Sequence, residues 1–169
     1  MLGRAVRASS FLGVRPGLPR PETVTTLTWV AGGLSLIGAI VVVAAPAGGT
    51  NRLLGVAVPL AVAAIALMAT TVPLRPAFMA VVLYAAGLLA LIYAIILALS
   101  VPVRLSVEGI CPRTSASCPL GFDYPVTAGE NFAVYAATVV AFGAIVFAFA
   151  AIEARYIRKP RRDRTDDRL

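Results

Sequence analysis

The chain has 169 residues, 59% of them hydrophobic and 14% charged, with a net charge of +7 and no histidine. A water-soluble domain is nearer half apolar and a quarter charged, so the composition excludes an ordinary soluble fold and points to a membrane. The missing histidine removes the commonest metal ligand and the usual proton shuttle.

Residues 1–23 form a basic lead, with Arg4, Arg7, Arg15 and Arg20 against Glu22. The segment reads as a disordered basic arm; the alternative is a short interfacial helix with Leu2, Val6, Phe11 and Leu12 on its apolar face. Pro16, Pro19 and Pro21 bar regular helix up to the first span. A four-helix transmembrane domain is expected over residues 24–152, as an up-down-up-down bundle. Its first span is residues 24–45, long enough at 1.5 Å per residue to cross a hydrocarbon core of about 30 Å. Ala45-Pro46-Ala47 resembles a signal-peptidase site. The apolar run before it is too long for a signal peptide, so the helix reads as retained.

Asn51 and Arg52 mark a tight turn before the second span, residues 53–72. Pro59 should kink this helix or free a carbonyl, which neighbouring helices can satisfy. Pro73-Leu74-Arg75-Pro76 then leaves room only for a sharp reversal. The third span is residues 77–100. Ala86, Ala90, Ala94 and Ala98 recur every four residues and are expected to form a small face for close helix packing. Ala31, Ser35 and Ala39 form a similar face in the first span, as do Ala133, Ala137 and Ala141 in the fourth. That fourth span is residues 132–152. The tail, residues 153–169, is too polar to fold alone. Its Arg155, Arg158, Lys159, Arg161 and Arg162 are candidates for anionic lipid headgroups.

Orientation follows from counting basic residues. With the N-terminus in the cytoplasm, the inner segments hold 4, 1 and 7 of the 15 Lys and Arg residues. Both termini are therefore expected inside a bacterial inner membrane. The net charge then faces the anionic inner leaflet, worth about 1 kcal/mol per well-placed basic residue, and nucleic acid is not needed to explain it.

This orientation puts the loop 101–131 outside, with Cys111 and Cys118 where disulfides persist. Closing their eight-residue ring would contribute roughly 2.5 kcal/mol in the chain-entropy view. Two thiols so spaced, without histidine, make a poor metal site. Around them Val103, Leu105 and Val107 alternate with polar residues, as do Leu120, Phe122, Tyr124 and Val126. A period of two reads as strand. A bridge between the cysteines would set Val107 opposite Phe122 and Leu105 opposite Tyr124. Those four residues are the candidate partner-binding face of a disulfide-closed β-hairpin. The competing reading is an irregular loop whose aromatics sit at the lipid interface.

The four spans as bounded hold no Asp, Glu, Lys, Arg or His, which transporters and proton relays usually place there. The chain shows no phosphate loop, catalytic triad or Cys-x-x-Cys pair, so no enzyme, cofactor or metal is expected. Arginine-rich, alanine-rich coding suggests a high-GC bacterial source. In layout and composition the whole chain resembles the small four-span accessory subunits of actinobacterial envelope complexes, such as Mce-type lipid importers and respiratory supercomplexes. The resemblance implies a non-catalytic assembly subunit of a larger inner-membrane complex. Its partners would be membrane lipids and other integral subunits. A stand-alone transporter with a path near Pro59, and a regulator acting through the basic tail, are the alternatives. The bridge is checked by thiol labelling under denaturing conditions: neither cysteine should label until a reductant is added.

Overall fold

The computed structural model describes residues 21–44, 52–72, 77–111 and 122–157. It contains four α-helices: α1 (Pro21–Ala44), α2 (Leu54–Ala69), α3 (Ala77–Val107) and α4 (Ala128–Ile152). A single π-helical turn, Glu153–Ile157, extends α4. The described residues contain no strand. The N-terminal amphipathic residues and Arg158, Lys159, Arg161 and Arg162 lie outside the described residues.

Each helix packs on its neighbours in a closed ring, α1 on α2, α2 on α3, α3 on α4 and α4 on α1, with the α1–α4 seam the most extensive. Successive helices run in opposite directions. Arg52 at the start of α2 meets Glu130 at the start of α4, and Arg155 beyond α4 reaches the Thr70 carbonyl after α2. The bundle thus has a loop end, where α2 and α4 begin, and a tail end, where they finish.

Three helical stretches are long and apolar enough to cross a membrane: Glu22–Ala44, Phe78–Val107 and Ala128–Tyr156. The expected second span, residues 53–72, is shorter as helix. The α2 helix has 16 residues, about 24 Å at 1.5 Å each. It ends in three tightened turns, with Thr70, Thr71 and Val72 donating to Leu67, Met68 and Ala69. The hydroxyls of Thr70 and Thr71 cap the same Leu67 and Met68 carbonyls. A hydroxyl that competes for the last carbonyls favours such an ending.

The buried positions explain the bundle. Inward rows run Thr28, Ala31, Ser35, Gly38, Val42 in α1 and Leu53, Val56, Leu60, Ala63, Leu67, Thr70 through α2, flanked by the buried Gly32, Ala39, Ala57, Pro59, Ala64 and Ala66. In α3 they are Ala80, Tyr84, Gly87, Leu91, Ala94, Ala98, Val101, and in α4 Glu130, Val134, Ala137, Ala141, Ala144, Ala148, Ala151. Every series alternates steps of three and four. That 3.5-residue spacing keeps one seam facing inward along the whole helix, as in left-handed packing. Small residues face large ones across it. A Cβ on Gly87 would lie 3.0 Å from Leu67 Cγ and Cδ2, so only glycine leaves that leucine its place.

This geometry corrects the alanine ladder of α3. Ala94 and Ala98 are buried and Ala90 is half-buried, but Ala86 is exposed. Steps of four residues each overshoot a full turn, so three steps rotate the face by about 120°. Ala31, Ser35 and Ala39, and Ala133, Ala137 and Ala141, are all buried. One polar contact crosses the bundle diagonally, between Thr28 Oγ1 and the Tyr84 hydroxyl at 2.8 Å. Thr28 already donates to the Val24 carbonyl, so the tyrosine is the donor. Tyr93 and Tyr135 face outward.

The same contact sets the heights of the helices. Above it α1 has 16 residues to Ala44, whereas α3 has 23 to Val107. The seven further residues carry α3 about 10 Å beyond the described end of α1.

Helix and not strand therefore occupies 101–107, which overturns the first arm of the expected hairpin. Pro102 forfeits one backbone bond, but local bonds close around it. Ser106 Oγ donates to Val103 O, Glu108 N–H to Arg104 O, and Arg104 pairs with Glu108 one turn on. Gly109, at φ +77°, then ends the helix in the left-handed conformation that a side chain would disfavour. The seam is tested by a pair of substitutions. Ala94→Leu should overpack it and lower stability by about 1–3 kcal/mol. Ala86→Leu should stay within about 0.5 kcal/mol of wild type. Thermal unfolding in detergent micelles reads both.

Candidate functional site

At the loop end, Arg52 and Glu130 form an ion pair at 2.8 Å, with side chains 1% and 0% exposed. Neither was expected to matter: Arg52 served only to mark a turn, and Glu130 was given no role. Burying two charges is favourable only when their remaining bonds are met. Glu130 meets that condition, and Arg52 meets it at both terminal nitrogens, while its buried Nε finds no acceptor among the described residues. Arg52 donates from Nη1 to the Tyr124 carbonyl at 3.1 Å and from Nη2 to the Pro125 carbonyl at 3.2 Å. Its guanidinium also lies 4.3 Å from the centre of the Tyr124 ring and 5.8 Å from that of Phe122. Such stacking suits a planar, weakly hydrated cation.

Glu130 is held by the first turn of its own helix. Its Oε2 accepts from the Thr127 backbone N–H at 3.0 Å and the Thr127 hydroxyl at 3.1 Å. Thr127 Oγ1 in turn accepts from the Glu130 N–H at 3.2 Å, completing a reciprocal capping box. A carboxylate at the start of α4 is favoured by the helix dipole, whereas a cation at the start of α2 is not. The glutamate therefore compensates the arginine's unfavourable position. The Tyr124 hydroxyl reaches Glu130 Oε1 at 3.4 Å. Burial, reinforced by the Glu130 carboxylate, pushes that hydroxyl above its usual 10.0, so it stays a neutral donor.

Phe122 completes the cluster. Arg104 of α3 lies 5.6 Å from its ring centre, so the ring has two arginines as neighbours, from two elements. The backbone carbonyl of Phe122 accepts from the Cys111 N–H at 3.1 Å, closing the neck of the loop. The loop thus returns to the bundle through Phe122, which touches Arg104 and Arg52, and through Tyr124 and Pro125, which both accept from Arg52.

The sequence-derived candidates divide accordingly. Leu105 and Phe122 pack partly against the core, and Tyr124 is half-buried over Arg52. These three are turned largely to the bundle. Val107 alone of the four is open, at 80% exposure. The expected pairings Val107–Phe122 and Leu105–Tyr124 are replaced by the Cys111–Phe122 bond, because α3 stays helical to Val107. Cys118 lies outside the described residues. Arg155 is exposed, 5.8 Å from the Tyr156 ring centre, at the tail end. No group of three potential metal ligands occurs among the described residues.

Comparison with protein families, with curated proteins and with solved structures found no match. The reading of this site therefore rests on its chemistry. The arrangement can hold a loop rigid.

One cycle of substitutions tests the pair. Glu130→Gln leaves a buried guanidinium without its counter-charge and should cost about 3–5 kcal/mol. Arg52→Met combined with Glu130→Gln should recover part of that loss, read by thermal unfolding in micelles. A double variant no more stable than Glu130→Gln would show that the charge pair is not the source.

Proposed function

We propose that the chain is a non-catalytic accessory or assembly subunit of a larger bacterial inner-membrane complex. In this reading all four helices span, both termini are cytoplasmic and the loop end is outside. The observation that carries it is the buried Arg52–Glu130 staple, which fixes an elaborate loop to the bundle at one end. A loop held this firmly is suited to present a surface. The interior adds support, since its seam is filled by interlocking small and large residues with no solvated path required by any of them.

The docking surface of this reading is the tip of α3 with the loop beyond it. Val107 is exposed about 10 Å above Ser100, at 1.5 Å per residue, beyond the depth that lipid tails cover, and Ile110 is exposed just past the end of the helix. Apolar side chains in that position are what a protein partner would bury. A disulfide between Cys111 and Cys118 belongs to the same reading. It is supported by Cys111 not being a free thiol and by the bond that closes the neck beside it. At the other end, Arg155 and the basic residues after it would lie on anionic headgroups. The layout shared with subunits of lipid importers makes such a complex the first to examine.

Purification in mild detergent followed by mass spectrometry tests the proposal. A larger integral-membrane protein should co-purify in fixed stoichiometry with the wild type, and should be lost with Val107→Asp although that variant still unfolds at the wild-type temperature. Recovery of the wild type only as a monomer or homodimer would remove the accessory role.

A further inference from the structure

A cleft of about 440 Å3 opens on the side of α3 near the loop end, walled by Ser100, Val103, Arg104, Val107, Glu108 and Phe122. We propose that it binds the headgroup of a zwitterionic phospholipid that carries a primary ammonium, with the phosphate on Arg104 and the ammonium on Glu108.

Height is the first argument. Ser100 lies 16 residues above Tyr84, level with Ala44 at the described end of α1. Below it Leu89, Ile92, Ile96 and Leu99 face outward as a continuous apolar surface suited to acyl chains. Arg104 stands one turn higher, about 6 Å at 1.5 Å per residue, and Glu108 one turn higher again. A headgroup layer occupies roughly 5–7 Å on each side of a core of about 30 Å. Arg104 therefore falls at phosphate depth, and Glu108, rooted one turn higher, reaches back to within 3.4 Å of its guanidinium, so the carboxylate lies at the outer edge of the same layer.

Charge is the second argument. Arg104 Nε and Glu108 Oε2 are 3.4 Å apart, and both side chains are at least half exposed. An exposed pair of this kind contributes little, so parting it is easy. A zwitterion replaces one weak contact by two charge-assisted ones of matching sign. Phe122 holds the guanidinium from one side, and the terminal nitrogens of Arg104 take no bond from any described residue. An anionic lipid without an ammonium would satisfy Arg104 but set its charge beside Glu108. A trimethylammonium headgroup has no N–H to give to the carboxylate.

The inference rests on α3 crossing a bilayer and not on the accessory role, so the two fail separately. The chain has one tryptophan. Trp29→Phe with Phe122→Trp therefore places a single reporter in the cleft of the full-length protein, reconstituted in vesicles. Brominated phosphatidylethanolamine should quench it at least twofold more than brominated phosphatidylcholine or phosphatidylglycerol at the same mole fraction. Arg104→Gln or Glu108→Gln should each abolish the preference. Equal quenching by all three lipids, or a preference for phosphatidylglycerol that depends on Arg104 alone, overturns the proposal. As a control free of substitutions at the cleft, native mass spectrometry of the wild type from mixed micelles should retain phosphatidylethanolamine over the other two. Retention without that order overturns it as well.

Discussion

A charge pair in a place that excludes water governs the loop end of this bundle. Arg52 and Glu130 are drawn from the starts of two helices that do not adjoin in the ring, and each is buried because the other is. Such a pair is expensive to desolvate and stands only when most of its remaining bonds are made, here all but that of Arg52 Nε. Here the bonds come from the loop itself: two carbonyls, two aromatic rings and a threonine that also caps α4. Loop, cap and ion pair are therefore one cooperative unit. The loop's approach to the bundle is fixed by electrostatics at a point where hydrophobic packing alone would leave it free to slide.

The rest of the bundle is fixed by spacing. Within lipid, apolar side chains gain nothing by leaving the tails, so close approach and shape decide how helices meet. The 3.5-residue seam supplies both, with alanines along α4 letting α1 come near and leucines of α2 fitting against Gly87 and its neighbours. Much of this was legible in the chain. The apolar runs marked all four helices to within four residues at every end but the last of α3, and the burial of Ala94, Ala98, Ala137 and Ala141 agrees with the wish for small residues at contacts. The misplacement of Ala86 has a geometric source: a ladder of fours looks straight on paper and winds around a real helix.

At the loop end the sequence was harder to read, for two different reasons. Residues 101–107 carry both a two-residue and a helical pattern, and alternation of valines and polar residues over so short a stretch cannot separate them. Punctuation could have: Arg104 and Glu108 stand one turn apart, and Gly109 follows as a helix stop. Likewise Thr127 and Glu130 spell a capping box before an apolar run, which moves the start of α4 back to Ala128 and brings the glutamate into the helix. The partner of that glutamate could not have been found from spacing. Arg52 lies 78 residues away, and only the closed ring of helices brings the two together.

The unequal lengths of α2 and α3 have a consequence for the surrounding bilayer. One helix has 16 residues, about 24 Å, and the apolar part of its neighbour, residues 77–100, runs about 36 Å. A hydrophobic belt of uneven height around one molecule cannot match a lipid film of uniform thickness on all sides. The film must thin beside the short helix or the bundle must lean, and each ångström of mismatch costs a fraction of a kcal/mol. A neighbouring protein with the opposite unevenness would relieve that distortion on contact. The thin flank of this bundle is thus a source of attraction in its own right, acting through the lipid before any side chains touch.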